Sequence, residues 1–332
     1  MPHTKMTNYT KCILVSGGAG FIGRNFLSHF VEKYPSYYFI CVDVLNYASN
    51  YDTLSRLKDH DNYKFIKMDL SEELDQLLRI AKDDKVTAII NFAAESSVDK
   101  SFESPIFFTK NNVLATQNLL ECARLLEIPN IIHISTDEVY GDEIKNATEK
   151  SPLNPTNPYS ATKAAIDLII NAYIKSYKIP VTILRPNNIY GPGQHSEKLI
   201  PSVIARGKKN QPVPIHGDGT NARRYLYISD FLDAIDIIWH NSDYTGQIFN
   251  IGGEEGPIDN NSLVRLVNEV FGYAVEIEYV RDRNYNDLDY SMDTSKLRKT
   301  GWRQRVPLRQ GLEAMKHCEG NNTVVYIKDN TN

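Results

Sequence analysis

The chain has 332 residues, 42% hydrophobic and 23% charged, with a formal net charge of −4. That is enough apolar content for a sizeable core in one large or two modest domains, and the charge offers no basic field for a nucleic-acid backbone or an anionic membrane surface. The four cysteines, at 12, 41, 122 and 318, lie far apart without CxxC or Cys/His spacing, which speaks against a zinc site and a disulfide framework and for a reducing, cytoplasmic setting.

In chain order, the polar opening "MPHTKMTNYT" has no apolar stretch of signal-peptide type, and nowhere do 18 apolar residues run together, so secretion and membrane insertion are not expected. "KCILVSGG" (11–18) reads as a buried strand ending in glycines, and 21–34 repeats apolar residues at helical spacing. Strands are expected at 37–43, 63–69, 86–94, 130–136 and 181–186, and helices at 71–84, 105–127 and 158–177. Continuous apolar strands alternating with helices predict an α/β fold of Rossmann type, a doubly wound parallel sheet covered on both faces. After residue 186 Pro and Gly become frequent and the alternation is lost, which predicts a smaller, mixed α/β substrate domain over 187–320. Segments near 229–252 are expected to return to the first domain, 1–186, and 321–332 reads as a flexible tail.

"GGAGFIG" sets Gly17, Gly20 and Gly23 between strand and helix, where small residues let the backbone approach a pyrophosphate and the helix amides face that anion. Asp43 closes the second strand 20 residues beyond Gly23, placed to accept hydrogen bonds from ribose hydroxyls and to repel a 2′-phosphate; NAD is the expected cofactor. Asp69, ending the third strand, is placed either for the adenine edge or for an exposed turn.

"NPYSATKAAID" puts Tyr159 and Lys163 one helical turn apart. A lysine ammonium stabilises the phenolate, so the pair can take a proton from an alcohol while hydride leaves its carbon. Just upstream, "HISTDEVYGD" ends an apolar run on Ser135 and Thr136, one or the other placed to hold a substrate oxygen, and on two adjacent acids, Asp137 and Glu138. Neighbours on a regular strand face opposite ways, so the acids can serve one substrate only if the strand has already ended and the backbone turns there; that is the expectation.

The motifs GxxGxxG, "NFAAES", "STDEVYG" and Tyr-x-x-x-Lys, in this order, resemble the extended short-chain dehydrogenase/reductase family, and within it the nucleotide-sugar 4,6-dehydratases. The resemblance implies a lyase acting on a UDP- or dTDP-hexose, UDP-glucose, dTDP-glucose or UDP-N-acetylglucosamine: C4 is oxidised, water is lost across C5 and C6, and hydride returns to C6. It assigns Thr136 and Tyr159 to the 4-hydroxyl, Lys163 to Tyr159 and the nicotinamide ribose, Glu138 to the C5 proton and Asp137 to the departing hydroxyl. Cofactor contacts would come from Gly17, Gly20, Phe21, Ile22, Gly23, Asp43, Asp69, Ala93, Tyr159 and Lys163, and no metal is implied. Substrate contacts would come from Glu95, Ser96, Asn188, Glu197, Lys198, Leu199, Arg223, Asn250, Arg283 and Tyr290. The chain departs from the family pattern at Ser97 and Lys100, where His and Arg are usual, at Asn111 in place of Thr, and at Asp289 in place of an arginine near the diphosphate. A homodimer through a four-helix interface of 105–127 and 158–177 is implied. Other readings are a nucleotide-sugar epimerase or oxidoreductase on the same scaffold, which the acid pair opposes, and a non-catalytic dinucleotide-binding protein.

Overall fold

The computed structural model describes residues 9–283, 285 and 290–318. The departure at Asp289 and the tail 321–332 lie outside them. In chain order the elements are β1 Lys11–Ser16, α1 Phe21–Lys33, β2 Tyr37–Asp43, α2 Tyr51–Leu54, β3 Tyr63–Lys67, α3 Leu74–Asp83, β4 Ala88–Asn91, α4 Val98–Glu103, α5 Pro105–Phe108, α6 Ala115–Leu125, β5 Ile131–Ile134 and α7 Pro158–Tyr177. There follow β6 Val181–Pro186, β7 Asn188–Tyr190, α8 Leu199–Gly207, β8 Val213–His216, β9 Ala222–Arg223, β10 Tyr225–Tyr227, α9 Ile228–Trp239, β11 Ile248–Ile251, β12 Ile258–Asp259, α10 Asn260–Phe271, β13 Ile277–Val280, α11 Ser295–Arg298 and α12 Leu308–His317.

A seven-stranded sheet runs in the order β11-β6-β5-β4-β1-β2-β3, and every pair from β6 to β3 is parallel. All of β4, β5 and β6 is buried, as are five of the six residues of β1, because helices cover both faces. This is the doubly wound Rossmann arrangement that the apolar runs predict. β1 pairs with β2 on one side and β4 on the other, so the strand order reverses beside β1 and a crevice opens at the carboxyl ends of β1 and β4.

The chain divides into two compact units. The first comprises Met1–Ser135, Pro158–Leu184 and Trp239–Ile248. One face of its sheet carries a core of Leu14, Ile40, Val42, Ile89, Leu119, Leu120, Ile131, Ile166 and Ile170. On α1, Phe26 and Phe30 pack around Trp239, which Tyr34 and Tyr37 also touch. The expected helix over 71–84 starts only at Leu74, because Asp69 Oδ1 accepts from the backbone and hydroxyl of Ser71 and closes a turn first. The expected helix 105–127 contains a π-helical turn, Thr109–Leu114, between α5 and α6, which sequence periodicity does not reveal.

The second unit comprises Thr136–Asn157, Arg185–Ile238 and the chain from Phe249 on. It carries three two-stranded pairs, β7–β10 and β8–β13 parallel and β9–β12 antiparallel. α10 packs on α8 and α12 with Leu263, Val264, Val267, Val203 and Leu312 buried.

Candidate active site

In the first unit the turn after β1 has the shape that its glycines predict. Gly17 holds a left-handed φ of +66°, and a Cβ there would come within 2.5 Å of the Ala93 backbone nitrogen. A Cβ on Gly23 would strike the Gly17 carbonyl. Gly20 begins α1 without a side-chain cap, so the first-turn amides of Phe21, Ile22 and Gly23 face the crevice end of β1, ready for an anion. Asp43, buried at the end of β2, accepts from Ala19 N at 2.9 Å, Leu45 N at 2.8 Å and the Ser49 hydroxyl at 2.9 Å. A carboxylate accepts about four hydrogen bonds, so room remains for a ribose hydroxyl. Cradle and acid together fit a dinucleotide. Asp69 lies two residues past β3 with Oδ1 engaged by the Ser71 turn.

Around the end of β4, Ala93 N donates to Asn91 Oδ1, and Glu95 is buried with its amide donating to Asn112 Oδ1 at 2.7 Å. Ser96 is half-buried beside it. Glu95 Oε1 also accepts from Asn46 Nδ2 at 2.6 Å, and Lys100 Nζ lies 3.0 Å from the centre of the Tyr47 ring. On α7, Tyr159 and Lys163 are both buried, and Lys163 Nζ donates to Ile134 O at 2.7 Å. Burial pulls the Lys163 ammonium down to about 8, against the carboxylate of Asp167 one turn on.

In the second unit lies the acid pair. β5 ends at Ile134, and Asp137–Tyr140 form a 3-10 turn that Thr136 caps by accepting from Glu138 N. The backbone has therefore left the strand before Asp137, as the chemistry requires. The turn is pinned at its far end: Arg185 Nη1 donates to the Tyr140 hydroxyl at 2.6 Å, which donates to Asn250 Oδ1 at 2.7 Å. Asp137, 4% exposed, accepts from Thr136 Oγ1 at 3.1 Å and from Asn187 Nδ2 at 2.6 Å. Its carboxyl is pushed up to about 7 by burial first and by Glu138 second; Asn187, Thr136 and Arg223 oppose the rise. Glu138, half-buried, accepts from Asn157 Nδ2 at 3.2 Å. A proton-holding acid beside a more accessible carboxylate is an arrangement in which the two can take opposite proton-transfer roles.

Of the other sequence-predicted residues, Arg223 stacks at 4.7 Å over the ring of buried Tyr290, and its charge reaches Asp137. Asn188 opens β7, Lys198 caps and Leu199 opens α8, and Glu197 lies beside His195. Arg283 is exposed. Asn250 is fully buried; its amide donates to Ala147 O and Asp293 O while its carbonyl holds Tyr140, which gives it a supporting place in the turn. Sequence reasoning passed over Asn187, though the doublet Asn187-Asn188 in "RPNNIYG" was a signal. It also passed over Asn46 and Asn157.

The class that this fold and its glycine turn define is a dinucleotide-binding α/β protein of short-chain dehydrogenase/reductase type. The chain belongs to the GDP-mannose 4,6 dehydratase family, whose profile matches residues 14–315. It is 41% identical to a trifunctional UDP-glucose 4,6-dehydratase/UDP-4-keto-6-deoxy-D-glucose 3,5-epimerase/UDP-4-keto-L-rhamnose-reductase of Arabidopsis thaliana over 91% of this chain, and spans 46% of that protein's length. It is 36% identical to the dTDP-D-glucose 4,6-dehydratase of Homo sapiens, covering 92% of this chain and 89% of the other. The crystal structure of a dTDP-glucose 4,6-dehydratase from Streptomyces venezuelae with NAD bound superimposes with a TM-score of 0.88 at 36% identity, covering 93% and 97% of the two chains.

Among the described residues no group of three or more His, Cys, Asp or Glu side chains is placed to hold a metal, and no helix is long and apolar enough to cross a membrane. The four cysteines are buried and form no disulfide.

Proposed function

We propose that this chain is an NAD-dependent hydro-lyase that converts a nucleotide-diphospho-hexose, UDP- or dTDP-linked, to its 4-keto-6-deoxy form. The supporting observation is the buried Asp137 beside Glu138 on a turn that has already left the strand, with the Asp137 carboxyl at about 7. Such a group holds a proton at neutral pH and can release it, which loss of a 6-hydroxyl demands.

NAD, when bound, would supply the hydride acceptor for C4 and the hydride donor for C6. Gly17, Gly20, Gly23 and the amides of Phe21 and Ile22 hold its pyrophosphate, Asp43 its ribose, and Ala93 and Lys163 the nicotinamide end. Tyr159 takes the 4-hydroxyl proton, with Thr136 donating to the same oxygen and the Lys163 charge stabilising the phenolate. Oxidation at C4 acidifies C5–H; Glu138 removes that proton, and Asp137 gives its own to the leaving hydroxyl. After hydride returns to C6, Glu138 gives its proton back to C5, and the proton that Tyr159 took offsets the one that Asp137 gave, so the net change is one water lost per sugar. Arg223, stacked on Tyr290, suits the diphosphate, since its fork can bind two oxygens at once. Glu95, Ser96, Asn188, Glu197, Lys198 and Leu199 line the sugar and nucleotide, with Arg283 near the diphosphate.

Incubation with UDP-glucose, dTDP-glucose and UDP-N-acetylglucosamine, without added cofactor, tests this by mass spectrometry. Loss of one water from any of them is expected. Unchanged mass with C4 inverted would establish an epimerase instead.

We also propose a cytoplasmic homodimer. Ile106 (84% exposed), Phe107, Leu114 and Leu125 on the 105–125 segment, and Leu168 and Tyr177 on α7, present apolar side chains outward from helices that pack on each other.

A further inference from the structure

We infer that Asn187 is a positioning residue that sets the proton affinity of Asp137 and so the pH range over which the acid can work. The inference rests on the acid role proposed for Asp137.

Asn187 follows β6 directly, and its backbone amide donates to Ile251 O at 2.8 Å. Its side chain is 5% exposed and lies against Gly252, where a Cβ would collide with Asn187 Oδ1; glycine leaves the amide its place. The other end, Nδ2, donates to Asp137 Oδ2 at 2.6 Å. Once Asp137 has given up its proton its carboxylate only accepts, and it is the amino end of the amide that faces it.

The two oxygens of Asp137 thus have different partners. Oδ1 accepts from the Thr136 hydroxyl, a rotor that can turn to a substrate oxygen. Oδ2 accepts from an amide fixed through backbone and packing. When Thr136 turns away, Asn187 is the hydrogen bond that still favours the carboxylate. The charged groups facing Asp137 are Glu138 from its own turn, which holds the proton on, and Arg223 from β9, which helps it off. Between burial and Glu138 on one side and Arg223 on the other, the neutral donor Asn187 keeps release of the proton within reach at neutral pH.

The test is a pH titration of the Asp137 carboxyl by carbon NMR in the protein as purified, with its signal assigned by its loss in Asp137→Asn. In Asn187→Ala the midpoint should rise from about 7 to about 8, about tenfold in proton affinity. The alkaline limb of dehydration activity should move with it, since the acid stays protonated to higher pH. Asn187→Ser, which keeps a hydroxyl donor, should bring the midpoint back toward the wild-type value. An unmoved midpoint in Asn187→Ala, or equal shifts in Ala and Ser, overturns the inference. The titration needs no turnover, so dehydration that survives in Asp137→Asn would remove the acid role while leaving the Asn187 effect to be judged by its own measurement.

Discussion

The ammonium of Lys163 donates to the backbone carbonyl of Ile134, the last residue of β5, at 2.7 Å. One buried cation thus both holds the last carbonyl of the strand and stands one helical turn from Tyr159.

Replacing Lys163 by Met leaves that carbonyl without its partner, at a cost of about 1–3 kcal/mol. A pH signature accompanies it. Folding lowers the Lys163 pKa from its ordinary 10.5 to about 8, so between those values the unfolded chain binds more protons and wild-type stability from this group rises with pH. Urea denaturation from pH 7 to 10 should show the wild type gaining on Lys163→Met across that window. A constant gap would contradict the buried, shifted lysine.

Asp137→Asn should lower dehydration by roughly 10²–10⁴-fold, the usual worth of a general acid. It should also stabilise the protein at pH 8. Folding raises the Asp137 pKa from 3.8 to about 7, so the folded chain holds the extra proton between those values and wild-type stability falls as pH rises through them. Above pH 7 the variant should be more stable by on the order of 4 kcal/mol, with the gain fading toward pH 4. Thermal unfolding at both pH values checks it, and a variant less stable at pH 8 would refute the buried charge.

NAD retention should depend on the link between the loops that flank β1. Asn46 follows β2 and Glu95 follows β4, and β1 with its glycine turn lies between those strands, so the Asn46–Glu95 hydrogen bond and the Lys100–Tyr47 contact cross the mouth of the crevice. Such a contact is worth about 0.5–2 kcal/mol. Asn46→Ala and Lys100→Ala should each release NAD about tenfold faster, and Lys100→Arg should restore retention. Counting NAD left on the protein through dialysis measures this; equal retention in all variants would show that the link does not guard the cofactor.

Placing aspartates at Ile106 and Leu168 together should leave a folded monomer in light scattering, where the wild type should run as a dimer. A wild-type monomer, or a double variant that still dimerises, would remove the four-helix interface.

The sheet was legible because burial on both faces makes each strand a continuous apolar run, as in β4 and β5. The turn at Asp137 was legible from chemistry more than from pattern: two acids needed on one substrate cannot stay on a strand. Local turn chemistry hid the late start of α3, and a π-helical turn has no sequence period of its own. Asn187 and Asn46 stayed hidden for another reason. Asn187 lies fifty residues from its partner and Asn46 lies forty-nine, and which asparagine meets which carboxylate follows from strand order, set long after local pattern has been read.

β5 stops at Ile134, and the two acids sit on a turn with separate moorings, Asp137 to Asn187 and Glu138 to Asn157. On an unbroken strand, exchanging one acid would disturb the register of the other. Here either can be swapped alone, so a scaffold of this kind can acquire or shed a reaction one carboxylate at a time without recutting the sheet beneath.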